Sequence, residues 1–143
     1  MIVEQILKEE THPLRKRVLR KGISLPYVFQ GDSDQGSLHF GLKEGNEVLA
    51  VVSFVSQGMN ELPSKQIQLR GMAVDEKLQG KGLGSLLLQD ALSKLHDLGY
   101  EFVWCNARER AYSFYENNGF KREGKEFEVD QIGTHDRMWV KIA

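Results

Sequence analysis

Four successive patterns in residues 66–105 restrict the fold more strongly than any other feature of the chain. Residues 66–75 predict a central strand, in which Gly71 indicates a bulge or a close approach of another backbone. A glycine-rich turn follows, and then a stripe of apolar residues at helical spacing that ends at Gly99. Residues 102–105 predict a second, short buried strand. Because a strand, a crossover helix and a strand form a parallel pair, the sheet contains one parallel junction.

Strand patterns flank this unit on both sides. They occupy residues 2–7, 37–43 and 47–56 before it, and residues 121–129 and 136–142 after it. A first helix is expected between an N-cap at Thr11 and Gly22, and a further helix over residues 107–118. Residues 23–36 predict a long loop. Hairpins need antiparallel neighbours, so the expected fold is α+β, a mixed α/β arrangement with helices beside a mixed sheet.

Composition limits the partners and the environment. The 143 residues, 41% of them hydrophobic, fit one globular domain over residues 1–143. Lys and Arg total 19 against 20 Asp and Glu, so no overall charge favours nucleic acid or a membrane surface. The single Cys105 excludes an internal disulfide. No stretch reaches the ~20 apolar residues of a membrane span, and the first ten residues lack a signal peptide's basic start, so we expect a cytoplasmic protein.

The glycine-rich turn lies between the central strand and its helix. Its sequence is Gln79-Gly80-Lys81-Gly82-Leu83-Gly84-Ser85. Glycines let a backbone approach a ligand closely, and a helix start presents unpaired N–H groups at the positive end of its dipole. The turn therefore favours an anion, most naturally a phosphate.

Two common phosphate ligands fit this turn poorly. A magnesium-nucleotide loop needs Ser or Thr after Gly-Lys, where this chain has Gly82. A dinucleotide loop needs a third glycine where this chain has Ser85, and the next strand ends without the acidic residue that binds the ribose.

The spacing that does fit is Gln-x-x-Gly-x-Gly, at Gln79, Gly82 and Gly84. A second pattern follows at the expected distance, Ala111-Tyr112-Ser113-Phe114-Tyr115-Glu116-Asn117-Asn118-Gly119-Phe120. Together with the strand at residues 69–74, these two patterns resemble the signatures of the GNAT superfamily of acetyl-CoA-dependent N-acetyltransferases. Residues 104–108 and 132–138 are similar to a bacterial subgroup that includes the ElaA-like and YitI-like proteins.

This resemblance implies a three-layer fold whose sheet is mostly antiparallel, with a central parallel pair splayed to admit acetyl-CoA. It places the cofactor against Met72, Ala73, Val74, Gln79, Gly80, Lys81, Gly82, Leu83, Gly84, Ser85, Asn106 and Tyr115. Asn106 is equally suited to cap the helix that follows it. Lys77 and Lys81 either assist the phosphates or remain solvated surface lysines.

The resemblance also implies catalytic roles. The backbone N–H near Met72 is the expected donor to the thioester oxygen, and Tyr115 is the expected general acid for the departing thiolate. An ordinary aromatic on an amphipathic helix is the alternative for Tyr115. Cys105 is expected to be a small buried residue rather than a nucleophile, because nothing pairs it with a base.

The acceptor side is less defined. His39, His135 and Asp136 are candidates for a general base, although a water, or an amine that arrives neutral, serves equally well. Candidate acceptor contacts are Arg70, Trp104, Arg108 and His135. The arginines alternatively form ion pairs, and Trp104 alternatively lies in the core. The histidines are scattered and match no compact ligand pattern, so no metal is expected.

The expected function is direct transfer of acetyl from acetyl-CoA to a primary amine of a small molecule. The alternatives are acetylation of a protein or peptide amine, and a non-catalytic acetyl-CoA-binding sensor module. The expected partners are acetyl-CoA and an unidentified amine, without nucleic acid or membrane, in a monomer or homodimer.

Overall fold

A computed structural model describes residues 1–59, 62 and 65–142 of the chain. Within these residues, eight strands form one mixed sheet. They are β1 (Ile2–Gln5), β2 (Leu38–Glu44), β3 (Glu47–Val55), β4 (Gln66–Val74), β5 (Phe102–Arg108), β6 (Lys121–Arg122), β7 (Phe127–Val129) and β8 (Gly133–Lys141). Their order in the sheet is β1-β2-β3-β4-β5-β8-β6, and β7 also pairs with β8.

The pair β4 and β5 is parallel, and the other strand pairs of the described sheet are antiparallel. The two strands pair only over residues 66–68 and 102–104. Beyond Gln68 and Trp104 both strands continue, but the described sheet has no further pairing between them. A cleft therefore opens between their carboxyl ends. The predicted mixed sheet with one splayed parallel pair is confirmed.

Within the described residues, three helices cover the two faces of the sheet. The first begins as an α-helix at His12–Leu14 and continues as a wider π-helical turn at Arg15–Leu19, and we call the two together α1. The other two are α2 (Leu83–Asp97) and α3 (Tyr112–Asn117). Short 3₁₀ turns lie at Lys8–Thr11, Glu76–Leu78 and Glu109–Ala111. Among the described residues, no helix is long and apolar enough to span a membrane.

The sheet buries apolar side chains on both faces. The larger core packs α2 and α3 against residues such as Val52 and Phe54 of β3, while a smaller core beneath α1 contains Val51 and Ala73. Strand β3 is therefore covered on both sides, as its almost continuous apolar run predicts.

Strand β5 divides its side chains between the same two faces. Because side chains alternate along a strand, Val103, Cys105 and Ala107 of the larger core point towards α2, and Trp104, Asn106 and Arg108 point towards α1.

Three predicted boundaries were wrong. The helix predicted at 107–118 begins only at Tyr112, because β5 stays paired with β8 as far as Arg108. The strand predicted at 121–129 is split into β6 and β7 by Gly124, whose φ is +86° and whose N–H donates to Asp136. Thr11 does not cap α1: it is buried, and its hydroxyl donates to the Lys8 carbonyl at 2.6 Å.

Candidate active site

The glycine-rich turn presents a run of backbone N–H groups. Gly80 and Gly82 each have φ of +80°, a left-handed conformation that favours glycine. The first N–H of α2 with a backbone acceptor is that of Leu86, bonded to the Gly82 carbonyl. Within the described part of the chain, the N–H groups from Gly80 to Ser85 have no backbone acceptor. They are the donors that an anion at this helix start would use.

Gly84 has a different role from the other two glycines of the turn. A Cβ at this position would lie 3.1 Å from Phe114 Cε1 and 3.3 Å from Val74 Cγ2. Its missing side chain therefore lets α2 pack closely on β4 and α3. Gln79 secures the other end of the turn, because its Nε2 donates to the Val74 carbonyl at 3.1 Å.

Asn118 supports this turn from the next helix. Its Nδ2 donates to Ser85 Oγ at 3.0 Å, and its Oδ1 accepts from Gln89 Nε2 at 2.9 Å. The end of α3 is thus tied to the first two turns of α2. Asn118-Gly119 signals a helix end in the sequence, but no spacing rule indicates that the amide reaches Ser85.

Strand β4 contains a bulge at Gly71 and Met72. Val51 pairs with Ala73 and Ser53 with Arg70, so two residues of β4 lie opposite one of β3. Gly71 has φ of +64°, and a Cβ there would lie 2.9 Å from Arg15 Nε and 3.0 Å from Phe29 Cε2. The predicted bulge is confirmed, and it is where β4 has already separated from β5.

Tyr115 lies on α3 and packs into the larger core, with 6% of its surface exposed. Its ring contacts Phe114 at 5.1 Å and Phe120 at 5.2 Å between centroids. Burial raises the pKa of the Tyr115 phenol well above its usual value, so the hydroxyl keeps its proton at neutral pH. Among the described residues, the structure records no hydrogen-bond partner for this hydroxyl.

His39 lies in a buried polar network beneath α1. Its Nε2 is 3.0 Å from the Asp32 carbonyl, which can only accept, so Nε2 carries the hydrogen. Its Nδ1 is 2.6 Å from Ser53 Oγ, which accepts in turn from Arg15 Nη2 at 2.8 Å. Burial lowers the pKa of His39, so the ring is neutral and Nδ1 accepts from the Ser53 hydroxyl. Both ring nitrogens are therefore engaged.

Arg15 and Asp32 hold that network together. Arg15 Nη1 lies 2.6 Å from Asp32 Oδ2 and Nη2 lies 3.0 Å from Oδ1, with both side chains almost fully buried. Burial alone would raise the pKa of Asp32, but hydrogen bonds from Arg15 and the Phe29 N–H lower it. The pair fastens the loop of residues 23–36 to α1.

His135 and Asp136 are adjacent on β8 and face opposite sides of the sheet. His135 lies opposite Arg108 on the α1 side, and its Nδ1 donates to the Gly133 carbonyl at 2.9 Å. In the neutral ring, Nε2 then carries the lone pair. Asp136 is fully buried and accepts from Arg122 Nε at 2.9 Å and the Gly124 N–H at 3.0 Å.

The two predicted acceptor arginines flank the cleft, Arg70 on β4 and Arg108 on β5. Arg70 lies over the Phe29 ring at 4.8 Å, and Arg108 Nη2 donates to the Leu19 carbonyl at 3.0 Å. Neither forms an ion pair with a carboxylate of the described chain. Arg20, which the sequence did not indicate, joins them, 5.0 Å from the same Phe29 ring.

Two other predicted residues on β5 differ in their surroundings. Trp104 is buried, and its indole N–H donates to the Gln57 carbonyl at 2.8 Å. Asn106 lies within β5 opposite Arg137 and is exposed, so its prediction as a helix N-cap is wrong. The chain stays in the sheet there because β8 continues the ladder beside it.

A family model for the acetyltransferase (GNAT) domain matches residues 15–140 of the chain. The chain belongs to the GNAT acetyltransferases. It is 33% identical over 142 residues to a Bacillus subtilis (strain 168) protein described as the uncharacterized N-acetyltransferase YitI, with 98% of this chain and 95% of that protein covered.

Solved structures share the fold of this GNAT acetyltransferase. Escherichia coli ElaA has a TM-score of 0.80 at 17% identity, with 97% of this chain and 98% of that chain covered. An aminoglycoside 6'-N-acetyltransferase complexed with coenzyme A has a TM-score of 0.78 at 13% identity, with 100% and 98% covered. With the family match, these findings confirm an acyltransferase of the N-acetyltransferase type in the ElaA-like and YitI-like subgroup.

The described residues of this GNAT acetyltransferase suit a phosphate-bearing acyl donor. The N–H groups at the start of α2 lie beyond the carboxyl end of β4, beside the cleft that opens between β4 and β5. Phosphates bind such helix starts, and an extended ligand arm fits an unpaired strand edge. Among the described residues, no group of three or more His, Cys, Asp or Glu is arranged to hold a metal ion.

Proposed function

We propose that this N-acetyltransferase transfers acetyl from acetyl-CoA directly to a primary amine of a small molecule. The observation that carries the proposal is the cleft between β4 and β5, which has an anion-binding helix start on one side and half-buried arginines on the other. The donor enters from the α2 face and the amine from the α1 face. The two reactants therefore meet where the strands diverge.

The donor side needs four groups of this chain. The N–H groups of Gly80 to Ser85 bind the pyrophosphate, and the edge of β4 from Met72 to Val74 binds the extended arm. The Met72 N–H, beside the bulge, donates to the thioester oxygen as negative charge develops on it. Asn106, exposed on β5, completes the opposite wall of the cleft.

The Tyr115 hydroxyl donates a hydrogen bond to the leaving sulfur. Its raised pKa keeps it protonated, but it also makes the phenol a weaker acid than a thiol, whose usual pKa is about 8.5. The Tyr115 hydroxyl therefore stabilises the thiolate by a hydrogen bond, and solvent supplies the proton that the released thiol carries. Without its donor, the departing thiolate would be left in a buried apolar site.

His135 is the base that we assign to the acceptor side, because it lies opposite Arg108 in the β5–β8 ladder and its Nδ1 bond to the Gly133 carbonyl leaves Nε2 of the neutral ring as the proton acceptor. We assign no base role to His39, because both of its ring nitrogens are bonded within a buried network. Asp136 is held by Arg122 on the opposite face. An amine that arrives neutral would need no base.

Two hydrogen bonds that bridge elements on the α1 side of the cleft favour a small molecule over a protein. The Ser24 N–H donates to Gln131 Oε1 at 2.8 Å, which joins the loop of residues 23–36 to the turn between β7 and β8. Arg108 donates to the Leu19 carbonyl and so connects β5 to the end of α1. These bridges restrict the α1 side of the cleft, whereas a peptide needs an open groove.

Binding and transfer assays test this proposal. CoA at a hundredfold excess over its Kd stabilises the protein by about 2.7 kcal/mol, a clear rise in melting temperature. Gly82→Val abolishes that rise, because a β-branched residue does not adopt a φ of +80°. Gly124→Val, at a φ of +86° away from the turn, is the control and retains it.

Three outcomes separate the alternatives. A higher melting temperature with CoA, together with acetylation of small amines, supports the proposal. Acetylation of a peptide amine alone would make the chain a protein acetyltransferase. A higher melting temperature without transfer to any amine would make it a binding module. No rise at all would contradict the cofactor site.

A further inference from the structure

We infer that the acceptor amine carries an oxyanion group, a carboxylate or a phosphate, which Arg20, Arg70 and Arg108 bind together. We call these three residues the arginine cluster. The inference rests on the proposed function, and it names the class of acceptor that the sequence left open.

The arginine cluster is compact. Arg20 and Arg70 lie 5.0 Å and 4.8 Å from the centre of the Phe29 ring. Arg20 Nη1 and Arg108 Nη2 donate to the same Leu19 carbonyl, at 3.3 Å and 3.0 Å. The three guanidinium groups thus come from three different elements to one place on the α1 face.

No carboxylate of the described chain neutralises the cluster. The nearby Asp32 is bonded bidentately to Arg15. The other recorded contacts of the cluster are with carbonyl oxygens, those of Pro26 for Arg20 and Gln30 for Arg70. A guanidinium carries five N–H donors, so most of the cluster's donors remain available.

Holding these charges together costs stability. Burial is the main cause that lowers the pKa of Arg20 and Arg70, and that lowers the pKa of Arg108 to about 10. Nearby arginines add to it: Arg70 and Arg15 act on Arg20, Arg15 acts on Arg70, and Arg110 and Arg20 act on Arg108. Each shift means that the folded protein disfavours the charged form. An oxyanion bound among the three would remove this repulsion and make charge-assisted, bidentate hydrogen bonds.

A groove of about 860 Å³ runs beside the first helix and includes Arg20 of the cluster. Two other cations of this groove are paired with carboxylates, Lys21 with Glu76 at 3.7 Å and Arg17 with Asp75 at 3.1 Å. Arg20 has no such carboxylate partner among the described residues, and its Nε donates to the Pro26 carbonyl instead.

The cluster also lies where the reaction needs an anchor. Arg70 precedes the bulge at Met72 by two residues, and Arg108 lies opposite His135 in the β5–β8 ladder. An acceptor anchored there by its oxyanion has its amine close to the diverging strands. The cluster orients the acceptor, and it excludes amines that bring a second positive charge.

Matched pairs of amines test the inference. The probes are glycine and glycinamide, L-glutamate and its diamide, and O-phosphoethanolamine and ethanolamine. We expect kcat/KM to be about 10- to 100-fold higher for the anionic member of at least one pair, the range that charge-assisted hydrogen bonds provide. The amino acid pairs and the phosphate pair distinguish a carboxylate from a phosphate.

The ratio of kcat/KM between the anionic and the neutral member of a pair should fall about tenfold or more in Arg70→Gln and in Arg108→Gln. Arg70→Lys should restore part of this ratio. A merely structural role would lower both members of a pair alike. Lys125→Gln is the control, because Lys125 is exposed in the turn between β6 and β7, lies outside the cluster, and its replacement also removes one positive charge.

The outcomes separate this inference from the proposed function. Equal kcat/KM within every pair, or a preference for the uncharged members, overturns the inference while leaving an active acetyltransferase. If CoA does not raise the melting temperature of the unmodified protein, both proposals fail.

Discussion

Tyr115 contributes to the proposed reaction through a single hydroxyl group. Tyr115→Phe keeps the ring that packs on Phe114 and Phe120 and removes only the hydrogen-bond donor. We expect kcat to fall about 100-fold or more, within the range of acid–base catalysis, while CoA binding changes little. Steady-state kinetics and a CoA melting curve measure the two effects separately.

Tyr112→Phe is the matched control for that substitution. It removes a phenol hydroxyl from the same helix, but that hydroxyl donates to Glu126 Oε2 at 3.0 Å. Its turnover should match that of the unmodified enzyme. Undiminished kcat in Tyr115→Phe with several amines would remove Tyr115 from the mechanism.

A second prediction at the scale of a single residue concerns Gly71. An alanine there adopts an unfavourable φ and collides with Arg15, which is fully buried and cannot move aside. We expect Gly71→Ala to destabilise the protein by about 1–3 kcal/mol and to lower kcat by displacing the Met72 N–H. Urea unfolding and kinetics measure both.

Gly45→Ala separates the collision from the backbone strain. Gly45 has nearly the same φ, +62°, and a Cβ there would meet nothing within 4 Å. This variant should lose only about 1 kcal/mol, the ordinary cost of a left-handed residue, and keep its kcat. Equal losses in both variants would show that the contact with Arg15 and Phe29 is unimportant.

The loop of residues 23–36 depends on one ion pair for its attachment. Asp32→Asn leaves Arg15 buried without its countercharge, so we expect a loss of about 3–5 kcal/mol. Asp34→Asn, in the same loop but exposed, is the control and should change stability little. A small effect of Asp32→Asn on urea unfolding would contradict the assignment.

The same pair has a predictable pH dependence. The folded-state pKa of Asp32 is lowered, so its stabilising contribution is complete above the unfolded pKa of about 3.9. That contribution is lost as the pH falls through the lower folded value. His39 reduces stability at a higher pH than Asp32 does. Because burial lowers its folded pKa, the unfolded chain binds a proton near pH 6.5 that the folded ring resists, so the free energy of unfolding decreases as the pH falls below about 6.5.

The elements were more predictable than the contacts between them. Periodicity and glycine position located α2, the β4 bulge and the parallel pair, because these depend on local residues. The splay of that pair was implied by the family resemblance alone. The end of β5 was misplaced because pairing with β8 outweighs the helical pattern after Asn106. The bond from Asn118 to Ser85 and the pairing of Arg15 with Asp32 join distant residues, which a single sequence does not reveal.

In the candidate site, too, local features could be predicted from the sequence, and features that depend on tertiary contacts could not. The glycine turn could be predicted from the sequence because its proposed function depends on its own backbone. The arginine cluster was identified only in part, since Arg20 comes from the end of α1 and its position depends on how α1 packs across the sheet. Whether a charged side chain has a partner depends on the fold, and the nearly neutral net charge of the chain does not reveal it.

At the scale of the whole molecule, the proposed donor and acceptor sites lie on opposite faces of the sheet and meet only at the cleft between β4 and β5. Such a layout predicts direct transfer in a ternary complex. The single cysteine offers no covalent route, because Cys105 is buried and burial raises the pKa of its thiol, which leaves no reactive thiolate.

Initial rates measured at varied acetyl-CoA and amine should therefore give intersecting double-reciprocal lines rather than parallel ones. Protein incubated with acetyl-CoA alone should gain no 42-dalton adduct by mass spectrometry, about the mass that one acetyl group adds. Cys105→Ala should keep most of its kcat, although the smaller side chain costs some stability in the core. Parallel lines, together with an adduct that disappears in Cys105→Ala, would establish an acetyl-enzyme and contradict direct transfer.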